Sequence, residues 1–115
     1  MDGFKPAATI RIYVGEADTV DGVAVYEKIL EDAKKAGLMG GAVYRGIEGY
    51  GQGGKMHTAR VLRLSEDLPV MVSVTDEPVK IDAFVLVVDK IMAASGCGGL
   101  ITTQQVMMKQ YEAKA

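Results

Sequence analysis

The chain has no tryptophan, one cysteine, one histidine, two phenylalanines and three prolines among its 115 residues. A single cysteine, Cys97, excludes an intramolecular disulfide and every cysteine-rich metal site, and the lone histidine leaves a transition metal few soft ligands. Long apolar runs are missing too. The longest, Ala83 to Val88, falls far short of the roughly 20 residues a helix needs to cross a bilayer and is closed off by Asp82 and Asp89. The opening Met1-Asp2-Gly3-Phe4-Lys5-Pro6 lacks the apolar centre and cleavage site of a signal peptide, so the expected location is the cytoplasm, without membrane insertion. Neither charge dominates. Thirteen basic residues against fifteen acidic ones give a net charge of −2, which supplies no general attraction to nucleic acid.

The composition that remains, 49% hydrophobic and 24% charged, is that of an ordinary globular protein. A chain of this length buries about two thirds of its unfolded surface, enough for a core without staples. The expectation is a single domain over residues 1–115, with 1–8 as an N-terminal arm and 109–115 as a C-terminal tail.

Ile10, Ile12 and Val14 alternate with Arg11 and Tyr13, the period of a strand with one buried face, and the strand ends at Gly15. Asp21 then suits a helix N-cap, the apolar stripe running Val23, Tyr26, Ile29, Leu30 and Ala33 to a stop at Gly37. A second strand is expected over residues 42–47. It feeds a glycine-rich loop, with residues 59–64 returning as the other hairpin arm. Pro69 can open a β-branched strand over residues 70–75, where a missing donor does no harm. Asp76 is placed to cap a helix carrying Ile81, Phe84, Val85, Val88, Ile91 and Met92 at spacings of three and four, with Pro78 in its first turn and Gly96 at its exit. Residues 100–108 make the last strand. The order is βαββαβ, an α+β, ferredoxin-like antiparallel sheet with two helices on one face. Tyr13, Tyr44, Met71, Met107 and Met108 are candidates for the other face, and apolar residues there call for a partner.

The densest local signal is Gly46 to Gly54, five glycines in nine residues, followed by Lys55, His57, Arg60 and Arg63. Such a loop brings bare backbone N–H groups close to an anion. It has neither the lysine-serine/threonine ending of a P-loop nor the spacing of a dinucleotide fingerprint. Arg45 and Arg60 are the candidate anion ligands. Arg45 shares a face with Val43 and Ile47 and needs a carboxylate or phosphate partner, Glu48 being nearest in sequence. His57 sits where it can touch a ligand near neutral pH or merely cap a turn. No nucleophile-base-acid order is present, so no catalytic residue is assigned and the expectation is a non-enzyme.

Several separated motifs now carry a resemblance. Gly49-Tyr50-Gly51-Gln52 is similar to the start of the T-loop in PII signalling proteins. The set Arg11 to Glu16, Tyr44 to Ile47, His57-Thr58-Ala59 and Leu62 to Pro69 resembles the PII-like family known as DUF190, over a span from Thr9 to about Val106. The resemblance implies a homotrimer with ligand clefts between subunits, an adenine nucleotide as effector rather than required cofactor, and a membrane transporter or metabolic enzyme as target. It carries Gly49, Gly51 and Gln52 to the T-loop start, and Gly96, Gly98 and Gly99 to the loop after the second helix. Two departures stand out. Cys97-Gly98-Gly99-Leu100 lacks the lysine that PII proteins place after their second glycine, and Gln104 to Met108 lacks their arginine pair. These departures favour one alternative, an oligomeric scaffold without nucleotide binding; the other, a metal-responsive trimer of the cation-tolerance type, rests on the architecture that such proteins share.

Overall fold

A computed structural model describes residues 2–50, 56–58 (backbone only) and 67–114. Strand β1 spans Lys5–Gly15, a short hairpin joins β2 (Thr19–Val20) to β3 (Val23–Ala24), and helix α1 covers Val25–Lys35. Strand β4 is Gly40–Arg45, β5 (Glu48–Tyr50) pairs with β6 (Met56–Thr58), and β7 is Pro69–Asp76. Helix α2 covers Pro78–Ser95 and β8 covers Leu100–Met108. The main sheet runs β4-β7-β1-β8, antiparallel throughout. With the two helices this is the ferredoxin-like α+β arrangement the order of elements predicts.

The core lies between sheet and helices. Ile10, Ile12 and Val14 from β1 and Val70, Val72 and Val74 from β7 meet Val25, Ile29 and Ala33 of α1 and Ile81, Phe84, Val88 and Ile91 of α2. At about 1.5–3 kcal/mol for each large apolar side chain taken from water, this layer is the main force holding helices to sheet.

Helix ends follow local chemistry. Helix α1 closes with paired bonds, Gly37 N–H to the Lys34 carbonyl (3.0 Å) and Leu38 N–H to the Ala33 carbonyl (3.1 Å), the Schellman pattern. Pro78 stands in the first turn of α2, and Gly96 ends that helix in the left-handed region at φ 66°.

Some expectations change. Asp21 does not cap α1: it and Gly22 have φ of 50° and 80° and form the two-residue turn between β2 and β3. That is the hairpin turn an Asp-Gly pair favours, and it takes Val23 out of the helix. Asp76 does not cap α2 either, since Glu77 is the cap residue. Its buried carboxylate instead accepts the Glu77 N–H (2.6 Å) and the Met39 N–H (2.8 Å), tying the entry of β4 to the start of α2. Strand β1 takes in Lys5 to Ala8, residues expected in the arm, because they pair with Met108, Met107, Val106 and Gln105 of β8. The second strand stops at Arg45 rather than residue 47, and the partner of Glu48–Tyr50 is Met56–Thr58; the expected arm over residues 59–64 lies outside the described residues. Met107 pairs with Pro6 and so points to the helix side, whereas Met108, opposite Lys5, keeps the open side.

On the open side one row crosses all four strands: Tyr44 opposite Met71, Met71 opposite Tyr13, Tyr13 opposite Leu100. The next rows are polar, with Ser73, Arg11 and Thr102, then Thr75, Thr9 and Gln104. Among the described residues no helix is long and apolar enough to cross a membrane.

Candidate functional site: a pocket at the glycine end of the sheet

Antiparallel pairing brings the end of β1, the end of β4, the start of β7 and the start of β8 to one end of the sheet. A pocket of about 720 Å³ opens there. Tyr13, Tyr44, Met71 and Leu100, the apolar row, form its floor. Gly46 and Gly49 approach from the loop after β4, and Gly98 and Gly99 from the turn after α2. Two glycine segments roughly fifty residues apart thus share one cavity.

Bare backbone is required at Gly46 and Gly99. The Gly46 N–H donates to the Pro69 carbonyl at 2.7 Å, and a Cβ on Gly46 would stand 2.9 Å from the Pro69 ring. On Gly99 it would stand 2.9 Å from the Tyr13 carbonyl and 2.8 Å from Met92 Cε. Side chains here would push the loops off the strands they rest on.

The polar part of the wall is mixed in charge. Asp18 accepts the Gly15 N–H (2.9 Å) and Asp67 accepts the Ala17 N–H (3.2 Å), so these carboxylates shape the turn after β1. Both line the pocket, as does Glu48. Arg45 is the cation of the described lining. Its guanidinium pairs with Glu16, not with Glu48, because the turn after β1 and the end of β4 meet at this end of the sheet. Arg45 is 62% exposed and Glu16 only 13%; the second carboxylate oxygen of Glu16 is buried, with no hydrogen-bond partner among the described residues. Arg45 stands on the face of Val43, as expected, in register with Val70 as Val43 is with Val72, but at the sheet's end its guanidinium reaches solvent.

Of the site residues expected from sequence, Arg45, Gly49, Gly98 and Gly99 line the pocket. Gly96 does not; it terminates α2. His57 is the backbone partner of Gly49. Gly51, Gln52 and Arg60 lie outside the described residues. The floor residues had a sequence signal as apolar members of the second face, except Leu100. Glu16 had one as the last residue of the Arg11–Glu16 motif, and Asp18 only in its place after β1, at the same end as the loop.

Residues 7–108 match the DUF190 family, described as Uncharacterized ACR, COG1993. The chain belongs to this family. DUF190 relatives in sequence include a UPF0166 protein of Aquifex aeolicus, 37% identical over 75 residues that cover 65% of this chain and 71% of that one. UPF0166 protein MJ1524 of Methanocaldococcus jannaschii is 37% identical over 70 residues, 61% of this chain and 64% of that one. In structure this DUF190 chain is similar to CPII, a nitrogen regulatory PII-like protein of Thiomonas intermedia K12 solved bound to ADP, AMP and bicarbonate, with a TM-score of 0.71, 13% identity and coverage of 93% and 92%. It is similar also to a PII-like signalling protein of Thermus thermophilus, TTHA0516, with a TM-score of 0.62, 12% identity and coverage of 95% and 94%. At these identities the likeness is one of fold: the chain is PII-like in architecture.

Proposed function

We propose that this protein is a non-enzymatic, cytoplasmic PII-like sensor. An adenine nucleotide binds in the pocket, between subunits of a homotrimer, and the glycine-rich loop contacts a target such as a transporter or metabolic enzyme. The observation that carries this reading is the convergence of the Gly46–Gly49 and Gly98–Gly99 segments over an apolar floor. A flat base stacks on Tyr13, Tyr44, Met71 and Leu100, and phosphate meets backbone N–H groups and Arg45, a common division of labour in small-ligand sites. The volume suits a ligand of that size, and CPII, with the same fold, binds ADP and AMP. Gly51 and Gln52 belong to the same proposed site through their place in the loop, and His57 and Arg60 through their place just after it in sequence.

A second reading, a scaffold trimer without nucleotide, draws on the carboxylates Asp18, Glu48 and Asp67 in the pocket wall, which oppose anions. The metal-responsive reading gains no such support, since among the described residues no group of three or more His, Cys, Asp or Glu is placed to hold a metal ion. A thermal-shift series with ATP, ADP, AMP, cyclic dinucleotides and inorganic phosphate separates the readings. A ligand at a hundred times its dissociation constant adds about 2.7 kcal/mol to the native state. A nucleotide-specific rise that Arg45→Ala abolishes supports the sensor. No shift with any nucleotide, from a protein that remains trimeric, supports the scaffold.

A further inference from the structure

We infer that Glu16 sets how much negative charge this pocket accepts. The inference rests on the nucleotide reading above and deepens it.

Three observations meet at this residue. Arg45 is the cation of the described pocket wall, and its guanidinium is already paired with Glu16. Glu16 is itself largely buried behind Arg45 and does not line the cavity, so it acts on a ligand through Arg45 and through its own field. The wall also carries Asp18 and Glu48, the first held by the Gly15 N–H at the end of β1. A ligand anion approaching Arg45 therefore meets a cation whose charge is already balanced, with further negative charge around it.

Two opposing effects follow from the pair. Holding the long Arg45 side chain in place spares a ligand the cost of ordering it, which helps every phosphate-bearing ligand alike. The negative charge of Glu16 repels the ligand in proportion to the charge the ligand brings. The first effect cancels when two ligands that both use Arg45 are compared, and the second does not. Glu16 is thus a positioning residue for Arg45 and a selector against highly charged ligands. Because the Glu16 side chain is only 13% exposed beside the guanidinium, its field is screened less than that of a carboxylate in open solvent.

The test is isothermal titration calorimetry of adenosine, AMP and ADP against the full-length wild-type protein, Glu16→Gln, Glu16→Asp and Glu16→Met, with the melting temperature of each variant measured alongside. The ADP-to-AMP affinity ratio is expected to rise about twofold to fivefold in Glu16→Gln, the size of a partly exposed charge pair. Glu16→Met, apolar and of similar length, is expected to show the same rise, so the result does not depend on one variant folding. Glu16→Asp keeps the charge and the wild-type ratio, and adenosine affinity stays unchanged in all four proteins. A merely structural Glu16 would lower the melting temperature and leave the ratio where it was; that outcome overturns the inference while leaving the nucleotide reading intact. Failure of all three compounds to bind any of the proteins overturns both.

Discussion

Gly46 and Pro69 are locked together: the glycine N–H donates to the proline carbonyl at 2.7 Å, and its bare Cα faces the proline ring, where a Cβ would come within 2.9 Å. This contact fixes where β4 lets go of the sheet and the glycine loop begins. Gly49 rests on the same ring, a Cβ there standing 3.0 Å from Cγ. Gly46→Ala is expected to destabilise the fold by about 1–3 kcal/mol through overpacking and to weaken ligand binding in the pocket. Denaturant unfolding and calorimetry check it; wild-type stability would show that the loop entry shifts freely.

Asp76 is the buried polar tie of the fold, 1% exposed, serving the N–H groups of Met39 and Glu77. Asp76→Ala leaves two donors without an acceptor and is expected to cost about 2–4 kcal/mol, whereas Asp76→Asn retains one acceptor oxygen and loses less. Urea unfolding of the two variants ranks them, and equal stabilities would contradict the tie.

Lys5 and Glu77 meet at 2.9 Å on the surface. The hydrogen bond from Lys5, and then its charge, hold the Glu77 carboxyl below its ordinary value of 4.5. A carboxyl whose folded value is depressed adds stability above its unfolded value, and that contribution is lost as pH falls through the folded one. NMR titration of Glu77 is expected to show a lowered midpoint that returns to the ordinary range in Lys5→Ala. Global stability at neutral pH should barely change, as is usual for an exposed pair.

The row Tyr44, Met71, Tyr13 and Leu100 leaves apolar surface open, with Tyr44 55% and Leu100 62% exposed. In the proposed trimer a neighbouring subunit covers the part of this row that the ligand leaves open. Light scattering is expected to give three times the chain mass for the wild type and a smaller species for Met71→Glu. A monomeric wild type would remove the trimer from the account.

Much of this was legible in the sequence, for physical reasons. The alternation of Ile10, Ile12 and Val14 is visible because one face of β1 is buried, and the spacing of Ile81, Phe84, Val88 and Ile91 because α2 buries one stripe. The departures came where one residue type serves two local structures. Asp21 and Asp76 both read as N-caps, yet the first is followed by Gly22 and turns a hairpin, and the second spends its carboxylate on a distant N–H as well as a near one. The Arg45 partner lay 29 residues away, visible only once β1 and β4 share an end of the sheet. The pocket floor likewise needs the register of four strands, which no local pattern supplies.

Amide hydrogen exchange on the wild-type protein with and without saturating ADP or AMP tests whether the two glycine segments form one binding site. Residues 46–50 and 98–100, separated in sequence but joined in one pocket, are expected to gain protection together and at the same ligand concentration. Protection confined to one segment, or absent from both while the protein stays folded, would contradict it.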